Sequence, residues 1–444
     1  MRKSLAAFGL VFALLAGFFG YTVAETLDAR DAVSFTAEQQ LGDPAAAQGM
    51  QLNLSTALDW DMVWDTTLTL GDPLSCHTDF RYDPGNISWY SQQTVTPMLV
   101  VPGSNTHLYF WESDLSSDPT ALAYQSVIQD VVSRAPTGGG TYSETLNLKQ
   151  YLDNYPVFLS DVPMPEPYDY AHESWDLSQS LRLPVGEADV VTVEVAKNPD
   201  DTIASVFLSV PQSPSLMNEA ILCNNRYYVL FAPEDMEGSL IPGASPTGLY
   251  SVPSSSGETL AAQNVTLCYQ SQGMPSSLTL VDGGTHLLLV EELGQGQAKA
   301  VVLDTYTYQT IQEIPIQLPD TPYYLLVRDH YLALITTSAQ NYPAPLSRVT
   351  VWAKNQFGLF DQVIDCDLTE TQFESTDFPI TYFDQDRLIL AYYQASSKTG
   401  YIPNPSVYVV VCTPEGLAYA AHLVHSQSAA GLQPYTNLSL TPTA

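Results

Sequence analysis

The chain has 444 residues, of which 15 are basic and 48 acidic, for a formal charge of −33. A surface this acidic repels nucleic acid and anionic lipid, which excludes both as partners. Charged residues make up only 14% of the chain and apolar ones 45%, so the charge belongs to a core-forming protein and not to a disordered acidic tail.

Residues 1–24 read as a targeting segment. Arg2 and Lys3 form a basic start, Leu5 to Gly20 runs without a charge or a proline, and Thr22-Val23-Ala24 closes it with a small residue before Glu25. A cleaved signal peptide fits the basic start and the alanine. A retained N-terminal anchor fits the length, since residues 4–24 just span a bilayer at about 1.5 Å per residue. Either reading makes the protein extracytoplasmic, secreted or held by one N-terminal transmembrane helix, and limits membrane contact to residues 4–24. Without Arg2 and Lys3, 13 basic residues face 48 acidic ones, a balance of −35. No cysteine precedes Glu25, so lipoprotein attachment is excluded.

Residues 25–50 are polar and alanine-rich with no sustained period, and read as a spacer with a short helix around Ala37 to Leu41. Residues 51–444 read as one β-propeller-like domain. Helical periodicity is nearly absent from it. The exception is Ala121 to Arg134, where Leu122, Val127, Ile128, Val131 and Val132 share one face and Asp118-Pro119 supplies a start signal. Val162-Pro163-Met164-Pro165-Glu166-Pro167 reads as an excursion between repeats.

One phrase recurs along the domain, a polar turn feeding an apolar, β-prone strand. It appears as His107-Leu108-Tyr109-Phe110-Trp111, Asn225-Arg226-Tyr227-Tyr228-Val229-Leu230, His286-Leu287-Leu288-Leu289-Val290, His330-Tyr331-Leu332-Ala333-Leu334 and Asp386-Arg387-Leu388-Ile389-Leu390. From Tyr228 to Leu287, Leu332 and Leu388 the spacing is 59, 45 and 56 residues. These strands read as the first of each unit, with Ala300 to Leu303, Val349 to Trp352 and Val407 to Val411 as second strands. A unit of this length holds about four short strands, as a propeller blade does. The predicted fold is therefore all-β, a propeller of about seven irregular four-stranded blades preceded by a hydrophobic helix. Gln51 to Ser55 is expected to pair with Thr436 to Leu440 and join the two ends of the domain. The Gly-His/Trp-Asp and double-glycine blade signatures are absent.

The chemistry-bearing residues form no recognised motif. His422-x-x-His425 lacks a third zinc ligand nearby, and His172-Glu173 is followed by Asp176 where a zinc-protease helix needs histidine. His107, His286 and His330 occupy one point of successive units, the mark of a scaffold contact. Asp59-Trp60-Asp61 with Asp65, Asp365-Cys366-Asp367 and Asp384-Gln385-Asp386 could pair carboxylates on a strand face for calcium, but no turn glycine and distal glutamate follow at EF-hand spacing. They read as solvated turn acids. Cys76, Cys223, Cys268, Cys366 and Cys412 are an odd, scattered set, read as small buried hydrophobes with a Cys223–Cys268 bridge conceivable. No nucleophile elbow or phosphate loop is present, so no catalytic, cofactor-binding or metal-binding residue is assigned and no cofactor is expected.

These observations lead to an expectation of a non-enzymatic, exported propeller that binds a protein, peptide or glycan. The alternatives are a glycosidase-type carbohydrate-active enzyme, which needs two facing carboxylates, and the sensor part of an envelope-stress system.

Overall fold

The computed structural model describes residues 12–443 apart from 22, 24–32, 59–61, 83–96, 104–106, 164–171, 212–213, 217–219, 236–238, 255–263, 340–342, 376–378, 385, 395–403, 427–431 and 435–437. The fold is all-β and propeller-like, with seven antiparallel sheets following an N-terminal apolar helix, α1 (residues 12–21). No helix among the described residues is long and apolar enough to cross a membrane. The chain divides into two compact units, residues 93–318 and residues 1–92 with 319–444. The 51–444 stretch contributes to both.

The split unit opens with β1 (Phe35–Gly42), β2 (Met50–Leu58), β3 (Met62–Thr69) and β4 (Ser75–Tyr82). After residue 319 it continues with β20 (Tyr323–Val327), β21 (Tyr331–Thr337), β22 (Ala344–Lys354), β23 (Phe360–Asp367), β24 (Glu374–Ser375), β25 (Ile380–Asp384), β26 (Arg387–Gln394), β27 (Asn404–Thr413), β28 (Gly416–His425), β29 (Leu432–Pro434) and β30 (Ser439–Pro442). Sheet orders are β20-β21-β22-β23, β25-β26-β27-β28 and β2-β3-β4 with β29 and β30 both on β2. The expected terminal pairing is present: Gln51 lies opposite Thr441, Leu52 opposite Leu440 and Asn53 opposite Ser439. Thr436 and Asn437 lie outside the described residues.

A second terminal pairing corrects the spacer reading over residues 33–50; residues 25–32 lie outside the described ones. Phe35–Gly42 is a strand, not a helix at Ala37–Leu41, and it adds to the outer edge of β28. Its residues are mostly exposed, so its polar composition suits an edge strand and leaves no apolar stripe to read. Gly42 ends it at φ +75°, where an added Cβ would stand 2.0 Å from the Ala418 carbonyl oxygen; only glycine permits that approach.

The continuous unit holds β5 (Met98–Val100), β6 (Leu108–Trp111), α2 (Pro119–Ala123), α3 (Gln125–Arg134), β7 (Gly140–Asn147), β8 (Phe158–Pro163), β9 (His172–Asp176), β10 (Val190–Lys197) and β11 (Ile203–Ser209). It continues with β12 (Ala220–Cys223), β13 (Arg226–Phe231), β14 (Gly248–Pro253), β15 (Thr266–Gln270), β16 (Met274–Val281), β17 (His286–Gly294), β18 (Gln297–Asp304) and β19 (Thr310–Gln317). The predicted helix forms as two pieces. Asp118 caps the first by accepting from the amides of Thr120 and Ala121. Tyr124, Val127, Ile128 and Val131 are buried, whereas Leu122, expected on the inner face, is exposed. The helix breaks at Tyr124, which leaves the helical region at φ −103° and ψ 13°, so Leu122 belongs to a separate short piece. Val162 and Pro163, expected to begin an excursion, end β8 and pair with Glu173 and His172; residues 164–167 lie outside the described ones.

In four of its five copies, β13, β17, β21 and β26, the recurring phrase is the second strand of its sheet, not the first; the copy at β6 is an edge strand and the first of its sheet in chain order. In the order β16-β17-β18-β19, β17 has partners on both sides, and Leu287 to Val290 are fully buried. A strand buried on both faces reads as a continuous apolar run, so it stood out while the alternating first strands did not. The turn before it explains its polar residues. Asn224 and Asn225 form a two-residue hairpin loop at φ +51° and +59°, with Cys223 opposite Arg226, a pair of left-handed positions that asparagine tolerates.

Candidate functional site

A cleft of about 460 Å³ opens in the 93–318 unit. Its apolar wall includes Met98, Leu99, Val101, Leu108, Phe158 and Leu216, and its polar atoms come from Thr120, Ser160, Ser174 and Ser215. It lies beside the three-stranded sheet β5-β8-β9. Local features build it. A bulge lets β8 step one extra residue between Leu159 and Val162 against β9, bending the strand next to Ser160. The Ser160 and Ser174 hydroxyls then meet at 3.2 Å. The Tyr124 hydroxyl donates to the Pro102 carbonyl at 2.8 Å and fixes the loop after β5; burial holds that phenol well above its ordinary pKa, so it stays a donor. Thr120 is set by the Asp118 cap. Among the described residues, no charged side chain lines the cleft.

Two other clusters hold charges. Glu291, fully buried, accepts from the Tyr269 hydroxyl at 2.7 Å, the Gln272 amide at 2.8 Å and Lys299 Nζ at 3.0 Å. Lys299 Nζ also donates to Glu313 at 2.9 Å and to Gln272 Oε1 at 3.2 Å. Burial works against its charge, but these acceptors raise its pKa overall, while their donors lower that of Glu291 despite its burial. Burial and the Glu291 carboxylate push the Tyr269 phenol up to about 12. Every donor of the ammonium is used, so this is a locked ion pair bracing β17 against β18 and not a poised base. Sequence offered one missed signal: Glu291 and Lys299 are charges at the ends of two apolar runs joined by Gly294-Gln295-Gly296, directly opposite in the hairpin register. The third cluster is a hollow of about 390 Å³ in the split unit, lined by Thr336, Ser347, Arg348, Asp365, Asp367 and Thr369. Arg348 pairs with Asp365, and Asp367 accepts from the Thr369 amide at 2.9 Å. Both carboxyls are held below their ordinary pKa by these partners. Neither has the raised pKa that a glycosidase acid needs.

The sequence-selected residues are dispersed. His286 Nδ1 stands 2.6 Å from Asp282 Oδ2, His330 Nε2 meets the Phe383 carbonyl of the next sheet at 3.2 Å, and the His107 ring lies against Phe207. His330 makes the contact between sheets expected of all three and His286 is capped within its own turn, whereas His107 is exposed and rests on a strand of its own sheet. His422 and His425, three apart on β28, point to opposite faces: His422 packs on Tyr408 and His425 edge-on to Phe35. Burial lowers the His422 pKa and keeps the ring neutral. His172 lies in β9. Asp65 accepts from Arg81 at 2.8 Å and from Ser55, and Asp384 binds Arg387 at 2.8 Å. Asp386 takes a turn position at φ +67°, while Asp59, Trp60, Asp61 and Gln385 lie outside the described residues. No group of three or more metal-ligating side chains comes together among the described residues. Cys223 and Cys268 sit on opposite edge strands of one four-stranded sheet. Three strand spacings, about 14 Å, separate those edges, beyond the reach of the conceivable bridge.

No protein-family model matches the chain, and no curated protein does. Solved structures similar to it include a Synechocystis apocarotenoid oxygenase mutant, at 10% identity over 93% of this chain and 96% of that one, with a TM-score of 0.32. A Bacteroides fragilis protein provisionally described as a 6-phosphogluconolactonase matches at 9% identity over 90% and 100%, with a TM-score of 0.31. Hydrazine synthase from Kuenenia stuttgartiensis matches at 10% identity over 59% and 74%, with a TM-score of 0.26. The expectation of a non-enzymatic protein binding a protein, peptide or glycan finds no support and is withdrawn. The physical reason is general: a site grafted on such a scaffold draws its residues from distant loops, so a missing linear motif does not argue against catalysis.

Proposed function

We propose that the 93–318 unit takes a small, neutral, amphipathic molecule, as ligand or substrate, in the cleft between Leu99, Phe158 and Leu216. The observation that carries this reading is a cleft with no charged lining residue among the described ones, in a chain of formal charge −33. An apolar wall rewards an apolar body, and the Ser160, Ser174 and Thr120 hydroxyls suit one hydroxyl or carbonyl group on it. Its volume falls within the range of small-molecule sites. The basic start and apolar run of residues 1–24 support an extracytoplasmic location, and the acidic balance supports a partner other than nucleic acid.

Titration with N-phenyl-1-naphthylamine, a neutral apolar fluorophore, tests the cleft. Saturable one-to-one binding is expected, weakened at least tenfold by Ser215→Phe, which fills the mouth from an exposed position. Binding that never saturates, or that is equal in the variant, sinks the reading. A phosphatase reporter fused after residue 30 tests location, with activity expected only outside the cytoplasm.

A further inference from the structure

The Ser160–Ser174 couple holds one more hydrogen-bond donor than it uses. Ser160 lies on the central strand of the sheet β5-β8-β9 and Ser174 on the edge strand beside it. The bulge between Leu159 and Val162 brings their hydroxyls to 3.2 Å, both half-buried in the cleft wall. Each hydroxyl carries one proton and two lone pairs. In their contact one donates and the other accepts, so one proton is spent and one is left over. Among the described residues neither hydroxyl has another hydrogen-bond partner. The left-over donor shares the cleft with Leu99, Phe158 and Leu216, and no described lining residue carries a charge.

Given the small-molecule cleft proposed above, on which this rests, we propose that Ser160 and Ser174 are its specificity-determining pair, and that the ligand is a neutral apolar molecule bearing a carbonyl oxygen: a ketone, aldehyde or ester. A carbonyl oxygen accepts the left-over proton and brings no proton that needs an acceptor of its own. A hydrocarbon of the same shape leaves the donor unpaired against an apolar wall, which costs affinity. A carboxylate buries a charge without a counterion, which costs more. The couple is also redundant. Either serine keeps its proton when the other is removed, so one substitution leaves a donor in the cleft and only two remove it.

Full-length protein is loaded with N-phenyl-1-naphthylamine, and displacement of the fluorophore is followed. The competitors are 2-acetylnaphthalene, its isostere 2-isopropenylnaphthalene, in which a methylene group replaces the carbonyl oxygen, and 2-naphthoate. Each protein's own affinity for the fluorophore converts displacement into a Kd. Ser160→Ala and Ser174→Ala are each expected to change the ketone's Kd by less than about threefold, and the double variant to weaken it about tenfold. The hydrocarbon's Kd should be the same in all four proteins, which also shows that the double variant is folded. Naphthoate should bind wild type about tenfold more weakly than the ketone, or worse. Infrared difference spectra give a readout that needs no variant: the carbonyl stretch of bound 2-acetylnaphthalene should lie below its position in hexane. If the double variant loses the hydrocarbon as well, it is misfolded, and the wild-type infrared band decides alone. Equal ketone affinity in wild type and double variant, a single variant as weak as the double, naphthoate as tight as the ketone, or a bound carbonyl stretch equal to that in hexane overturns the proposal and leaves the cleft standing. Failure of the fluorophore to saturate overturns both.

Discussion

Replacing Lys299 by methionine tests the locked ion pair directly. At 3.0 Å from Glu291, the ammonium contributes about 5.5 kcal/mol of attraction at an effective dielectric of about 20. Relief of its own desolvation offsets part of that loss. Glu291 keeps the Tyr269 hydroxyl and the Gln272 and Gly273 amides but becomes a buried charge without a counterion, a change that costs about 3–5 kcal/mol in comparable pairs. If residues 93–318 unfold as one block, an entropy of about 2.1 cal/mol/K per residue turns 4 kcal/mol into a fall of about 8 °C. Adding Glu291→Gln removes the orphan charge, so the double variant is expected to unfold above Lys299→Met alone. The pH dependence has a definite sign. The Glu291 pKa is depressed, so its stabilisation is present above the ordinary glutamate value near 4.5 and disappears as pH falls through the lowered one. Wild type should therefore lose more stability between pH 6 and pH 3 than Glu291→Gln. Calorimetry of the four proteins at both pH values decides the matter. A fall under 2 °C for Lys299→Met, a double variant less stable than it, or equal acid losses would refute the argument.

Other parts of the fold give simpler tests. Asn225 stands at φ +59° in the hairpin before β13, so Asn225→Gly should raise stability by roughly 0.5 kcal/mol, read as a higher denaturant midpoint at constant slope. Asp118→Ala removes the cap of α2 and should cost about 1 kcal/mol on the same measurement. Deleting residues 430–444 removes β29 and β30 from β2; amide exchange of Leu52 to Leu58 should accelerate strongly, and unchanged protection would contradict the terminal pairing.

What sequence revealed and what it hid divide along physical lines. Leu287 to Val290 and Leu388 to Ala391 announce themselves because a strand buried on both faces carries no polar residues. β1 carries almost no apolar signal, since most of its side chains face solvent, and its partner β28 lies near the other end of the chain, with Phe35 opposite His425. No local pattern encodes such a long-range edge. The cleft was hidden for a different reason. Its lining comes from β5, the loop after it, β6, the start of α2, β8, β9 and the segment around Ser215, and none of those residues is chemically conspicuous. The contact of His330 with the Phe383 carbonyl is a third case. The two are 53 positions apart and meet only because β21 and β25 belong to neighbouring sheets. Sequence therefore reports each sheet's own pattern well, and a contact between sheets only after the repeat has been built. For this chain the search for function belongs in the cleft, not in the acid pairs and histidines that stand out in the linear text.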